Sequence, residues 1–476
     1  MGNYYDAILR LCGFEEDEIS REKPRIDRAF RRLGLGPADM AAAETWVSQG
    51  HDVSLAGVRK LLGVWLKELV DLVLARDEGK RVVYYGFPTI PGPGMAIASA
   101  SEDIHCSCPD AVLCHTLGQI FNKLEPVLKA GEENGLPPGH SLCSLWQVRV
   151  GALARGMIPV PDLALCSSYY CDMGSKADEL LHQRYGHHAV YVDGSMDSAW
   201  GEYPGYAPRR LRYLSAQLDK LFGTARDVLG VEVDRDVWNT SVARSRSLSQ
   251  WAHRLTELAA VDPMPLSAAD LELAFVLGAA STGRAVTDGP EAIATLCREV
   301  EDRVNQGIGV LDRGAPRLMA AIDSFSDPTI ANMMRDAGLA VCSNFFNTRP
   351  PRPRQQSEVP ATLGGGRAEW ALRDGLYHSS FAVIQRCAEA ATALGVDGVL
   401  WAYPYNCRPA SQIAHMLKKW VEENTGIPTL PLEMDPYDSR DYSAAVLRTR
   451  VEAFAEMLRA RKSSGEAPKT KANPKL

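Results

Sequence analysis

No run of this 476-residue chain approaches the ~20 consecutive apolar residues that a membrane-spanning helix needs. The opening Met1-Gly2-Asn3-Tyr4-Tyr5-Asp6 lacks the basic and apolar regions of a signal peptide, so the expected compartment is the cytoplasm. An excess of basic charge is missing too. The net charge of -7 favours solubility and carries no nucleic-acid footprint. No GxGxxG, Walker A or HExxH pattern occurs, so the chain bears none of these signatures of dinucleotide, nucleotide or zinc-protease sites. Cysteine, by contrast, is plentiful, with 11 residues. An odd count excludes a fully paired disulfide framework. In a cytosolic chain, metal binding or catalysis is the better reading of so many thiols.

The length argues for more than one domain, since single cores stop growing at roughly 250–300 residues. A charged and helical segment is expected over residues 1–80. Within it Leu61, Leu62, Trp65, Leu66, Leu69 and Val70 recur at helical spacing and should bury one face. Residues 81–205 read as a first α/β domain. Val82-Val83-Tyr84-Tyr85 is strand-like and Pro88 to Gly94 is expected to be a loop. A full α/β unit then runs from Pro161 to Gly194: strand 163–168, helix 174–184, a stop at Gly186, strand 189–192. Leu211, Leu214, Leu218 and Leu221 mark a helical linker or subdomain over 206–315. A second α/β domain is expected over 316–461, its first unit starting near Asp327. Helix 330–336, strand-like Leu339 to Cys342, helix 379–394, strand 398–403, helix 411–424 and a last strand fed by Ile427 to Leu432 follow in turn. Arg349 to Gln356 and Leu363 to Arg367 are read as one long loop. The tail 462–476 is expected to be disordered. Alternating strands and helices imply an α/β fold with two doubly wound parallel-sheet domains.

Three cysteines stand out by position. Cys171 and Cys407 each follow a strand-like run and precede a helix-like one, which is where open α/β sheets place their ligands. Cys143 precedes the helix-like stretch Leu145 to Ala154. Thiolates suit iron–sulfur clusters because soft sulfur donors match iron. The competing reading for each is an inert buried thiol. Cys12, Cys297 and Cys387 fall in helical patterns and read as core, and Cys166 as a strand residue facing the core. Cys106, Cys108, Cys114 and Cys342 are second-tier candidates. The C-x-C-x5-C cluster followed by His115 fits no standard zinc spacing. His187 and His188 read as surface residues of a turn. Ser144, Ser167 and Ser168 lie beside the candidate ligands, where turn and capping bonds explain them equally well. No acid or base residue is assigned.

In order and spacing, several segments resemble the 2-hydroxyacyl-CoA dehydratase and benzoyl-CoA reductase family. They are Cys143-Ser144-Leu145-Trp146 through Gly151 and Gly156, and Pro161 through Cys171. Asp336 through Val341, Gly398 through Cys407, and Thr425-Gly426-Ile427-Pro428 through Glu433-Met434-Asp435 complete the match. The similarity covers roughly residues 80–460. It implies that Cys143, Cys171 and Cys407 ligate one [4Fe–4S] cluster between two α/β domains, one iron being left open. It also implies a homologous second subunit, a separate ATP-hydrolysing iron–sulfur activator and an acyl-CoA substrate reduced to a ketyl radical anion. Membranes and nucleic acids have no part in it. Spare thiols at Cys106, Cys108, Cys114 and Cys342 keep open an [8Fe–9S] double cubane in an ATP-dependent reductase of small molecules. A structural subunit without catalysis is the third reading.

Overall fold

The computed structural model describes residues 4–86, 91–136, 143–168, 171–194, 198–199, 201–278, 283–321, 327–345, 359–375, 377–404 and 406–465. Four helices open the chain: α1 (Asp6–Leu11), α2 (Glu16–Leu33), α3 (Pro37–Gly50) and α4 (Ala56–Leu74). The apolar residues expected on one face of α4 are all buried. So are Val58, Val64, Leu72, Val73 and Leu74, because α4 lies between α2, α12 (Ala268–Val276) and α14 (Gly289–Gln306). Each such Leu or Val buried contributes about 1.5–3 kcal/mol.

The first sheet is parallel throughout, in the order β2-β1-β3-β4. Its strands are β1 (Arg81–Tyr85), β2 (Ile104–Ser107), β3 (Leu163–Ser167) and β4 (His188–Val192). Helices α5 (Pro91–Ala100), α6 (Pro109–Leu113), α7 (Glu125–Glu133), α8 (Ser144–Ala154) and α9 (Asp172–Tyr185) lie between them. The linker is helical as expected, with α10 (Pro208–Leu229), α11 (Arg235–Ala259), α12, α13 (Arg284–Thr287) and α14.

The second sheet repeats the first. Its strands β5 (Arg317–Ala321), β6 (Ala340–Asn344), β7 (Gly398–Tyr403) and β8 (Thr429–Glu433) pair in the parallel order β6-β5-β7-β8. Around them stand α15 (Pro328–Asp336), α16 (Leu363–Asp374), α17 (Ser380–Leu394), α18 (Arg408–Ser411), α19 (Ala414–Thr425) and α20 (Ala444–Ser463). The correspondence extends to side chains. Asp162, just before β3, accepts the Val82 amide at 2.6 Å, and Asp397, just before β7, accepts the Arg317 amide at 2.8 Å. In both sheets the chain leaves the first strand on one side and returns on the other, so the crevice between first and third strands is a topological switch point. No described helix is long and apolar enough to cross a membrane.

Several expectations need correction. Gly92, Pro93 and Gly94 belong to helix α5 rather than to a loop, while residues 87–90 lie outside the described set. Leu363 to Arg367 form the first turn of α16, not a loop. Thr362 Oγ1 caps that turn by accepting the Gly365 amide, and a Cβ at Gly364 would run into Ser215 O of α10. The glycines there permit close helix contact. Arg349 to Gln356 fall outside the described residues. Strands β2 and β5 were not foreseen, so the second unit starts at Arg317 and not near Asp327. Lys462 and Ser463 end helix α20, and the expected disordered tail is otherwise outside the described residues from 466 on.

Candidate functional site

The three first-choice cysteines share one structural position. Cys143 is the N-cap of α8, Cys171 of α9 and Cys407 of α18. Cys171 comes four residues after the end of β3, and Cys407 four residues after the end of β7. They are thus the same point of the repeated sheet, one in each domain, at the carboxyl edge beside each switch point. Burial pushes the Cys143 thiol well above its ordinary pKa. Charge on Asp435, and on Cys171 or Cys407 once ionised, would push it further. Contact between the domains is direct there, with Arg408 Nη2 2.8 Å from Met173 Sδ, one residue beyond Cys407 and two beyond Cys171.

Cys171 is buried, whereas Cys143 and Cys407 are partly exposed. With a raised pKa the Cys143 thiol keeps its proton until a cation displaces it, the usual coupling of metal binding to proton release. Among the described residues no group of three His, Cys, Asp or Glu side chains is gathered tightly as around a single ion. A four-iron cube holds its thiolates on separate corners, farther apart than ligands of one ion. The donor set, three thiols from two domains on the N-caps of three helices, suits such a cube.

The second-tier thiols sit deeper. Cys106 lies within β2 and Cys342 within β6 rather than at a strand end, its Sγ donating to Leu318 O at 3.3 Å. Cys108 caps α6, and Cys114 opens a wholly buried π-helical turn, Cys114–Ile120. His115 stacks on Trp65, ring centroids 4.7 Å apart, with Nδ1 2.7 Å from Ala111 O, so it serves the core. Cys12, Cys166, Cys297 and Cys387 are buried as expected. His187 is not a surface residue: it is buried edge-on against His182, which lowers its pKa to about 4, burial being the main cause. His188 is exposed on β4. Ser168 donates to Asp193 at 2.8 Å, and Ser167 Oγ is buried without a hydrogen-bond partner among the described residues.

Sequence reasoning missed the charged groups behind these thiols. Arg149 of α8 reaches Asp110 of α6 at 3.1 Å and Asp178 of α9 at 2.7 Å, all three side chains almost wholly buried. Asp435 accepts Ser144 Oγ–H at 2.5 Å, the Ser144 amide at 3.3 Å and the Tyr437 amide at 2.9 Å. Burial pushes its carboxyl up to about 6 while these hydrogen bonds pull it down. Glu68 of α4 is buried beside Ser107 and the Arg284 amide, its carboxyl pushed by burial up to about 8. A lone Asp or Arg in an apolar run gives no such signal, because its partner is remote in the chain.

The family model of the 2-hydroxyglutaryl-CoA dehydratase D-component matches residues 103–458, three quarters of the chain and all three first-choice cysteines. This chain belongs to that family. It is 22% identical over 317 residues to the (R)-2-hydroxyglutaryl-CoA dehydratase subunit alpha of Acidaminococcus fermentans, which covers 64% of this chain and 61% of that protein. The D-component relatives also include the (R)-phenyllactyl-CoA dehydratase alpha subunit of Clostridium sporogenes, 22% identical over 342 residues, 68% of this chain and 78% of that one. The (R)-2-hydroxyisocaproyl-CoA dehydratase alpha subunit of Clostridioides difficile is 21% identical over 338 residues, 67% and 78% of the two chains. The match therefore spans about 61% of the length of the first of these dehydratase subunits. The resemblance read from the cysteine segments and the family membership agree.

Proposed function

We propose that this chain is an iron–sulfur subunit of an ATP-driven 2-hydroxyacyl-CoA dehydratase and that Cys143, Cys171 and Cys407 hold one [4Fe–4S] cluster. The observation that carries the reading is the repeated placement of Cys171 and Cys407 at matching strand ends, with the two domains in contact beside them through Met173 and Arg408. Such a cluster supplies a low-potential one-electron couple. The chain's own part is to hold and shield it. Helices α8 and α9 point their positive ends at the site, favouring thiolate over thiol once protons are displaced. Cys171, Met173 beside it and Trp146 near Cys143 are buried, which would help to shield such a group from solvent.

Each relative named above is an alpha subunit of a dehydratase acting on a 2-hydroxyacyl-CoA, which favours a lyase over an aryl-CoA reductase. An acyl-CoA substrate, a homologous second subunit and a separate ATP-hydrolysing activator are part of the same reading. The sequence has no Walker A pattern, so ATP hydrolysis belongs to that activator. The test is anaerobic purification with iron and sulfide counts on the wild type and on Cys143→Ala, Cys171→Ala and Cys407→Ala. About four irons, lost in each variant, is the expected result. An iron-free protein under strict anaerobiosis would overturn it, and about eight irons would point to the double cubane.

A further inference from the structure

The segment after β8 crosses from the second domain onto the first. Asp435 accepts both the amide and the hydroxyl of Ser144, the residue next to Cys143, and five residues later Arg440 Nη2 meets Glu132 of α7 at 2.6 Å. Asp435 is only 3% exposed and takes three donors, from Ser144 twice and from Tyr437 once. Three hydrogen bonds donated to one buried carboxylate favour its charged form, against burial, which raises its pKa to about 6, so the charge is present above that pH. That charge is felt at Cys143 and at Cys114.

We infer that Asp435 is a positioning residue: it fixes Cys143 of the first domain against the domain that carries Cys407 and places a fixed negative charge beside the cluster. The inference rests on the cluster reading proposed above and adds a residue to it. Two consequences follow from the geometry. The Asp435 carboxylate completes the N-terminus of α8, whose first amides have no partner within the helix, and so orders the turn that bears Cys143. A negative charge on a buried carboxylate also disfavours the extra electron on a nearby couple, which lowers its potential.

The test uses the full chain and two readouts. Amide hydrogen exchange over residues 143–154 is measured on the iron-free protein, and the midpoint potential on the iron-loaded protein by dye-mediated titration read by electron paramagnetic resonance. Asp435→Asn, which keeps the shape and removes the charge, is expected to speed exchange at the start of α8 about tenfold. At a fixed potential it should also raise the ratio of reduced to oxidised cluster about tenfold, which is 59 mV for a one-electron couple. Ser144→Ala keeps the charge and loses one donor, so exchange should rise while the midpoint stays near wild type. Unchanged exchange and midpoint in Asp435→Asn would overturn the inference, as would faster exchange with an unmoved midpoint for its electrostatic half. If the wild type binds no iron, the cluster reading fails by itself, and the exchange comparison still decides whether Asp435 orders α8.

Discussion

Arg149 Nη1 lies 2.7 Å from Asp178 Oδ1, and this ion pair joins the helix capped by Cys143 to the helix capped by Cys171. The same guanidinium reaches Asp110, two residues into the helix capped by Cys108, and stands 5.3 Å from the Trp146 ring. One cation thus gathers three cysteine-capped helices. Buried ions are costly unless paired, and losing one partner strands the others. Arg149→Met is expected to cost about 3–5 kcal/mol in urea denaturation. The triple change Asp110→Leu, Arg149→Met, Asp178→Leu should recover most of that loss, because no stranded charge remains. A single variant as stable as wild type would show that the triad is not what joins these helices.

Helices α7 and α8 cross at two glycines. A Cβ added at Gly151 would fall inside the contact shell of Val127 O, and one at Gly131 inside that of Gln147 O. Backbone lies against backbone there, so nothing flexible can give way. Gly151→Ala should therefore force the helices apart, at a cost of about 1–3 kcal/mol or more. Because Cys143 begins α8, it should also weaken iron retention. Thermal melting and iron content measured on one preparation would check both; an unshifted melting midpoint would contradict the packing argument.

Much of this was legible along the chain. Strand β7 and helices α9, α15 and α17 appear within a few residues of where periodicity and stop glycines predict them, because each is local in its signals. Cys171 and Cys407 could be singled out because a strand, a cysteine and a helix stand consecutively in the sequence. Strand β5 was missed because Arg317-Leu318-Met319-Ala320-Ala321 has no β-branched residue, and β2 because Ile104 to Ser107 is short. The roles of Arg149 and of Asp435, itself the end of a family-like segment, were not legible for another reason. Their partners lie 291 residues away in one case, and 39 and 29 residues away in the other, and only the fold brings them together. Likewise, the glycines of Leu363 to Arg367 look like loop residues until α10 is seen packed against them.

His378 is buried between the start of the helical linker and the second domain. Its Nε2 lies 2.6 Å from Gly205 O, and Arg210 donates to its carbonyl at 2.6 Å. Burial first, and Arg210 second, lower its pKa from the ordinary 6.5 to about 4, with the hydrogen bond to Gly205 and then Glu202 opposing. The unfolded chain takes up this proton below pH 6.5, whereas the folded chain resists until about 4. Between these values the unfolded state binds more protons, so stability is lost as pH falls, by on the order of 3 kcal/mol for a shift of this size. His105, His115 and His187 are shifted the same way, so the diagnostic quantity is a difference. His378→Gln should flatten the decline between pH 6.5 and 4 relative to wild type in denaturant titrations. Parallel curves would exclude His378 as a source of acid sensitivity.

The second-tier thiols separate a four-iron site from a larger one. Cys342 donates within its sheet to Leu318 O, and Cys106 sits on β2 where a Cβ on Gly94 would come within 3.1 Å of its Sγ. Burial pushes both pKa values up, and neither thiol caps a helix at the carboxyl edge as Cys171 and Cys407 do. Changing either one to Ala should therefore leave iron and sulfide counts at the wild-type level. The cost should be only a small cavity, on the order of 1 kcal/mol. Iron loss in Cys106→Ala or Cys342→Ala, with melting unchanged, would mean that these thiols reach metal. It would shift the reading from one cube held by three cysteines to a double cubane drawing on both strands.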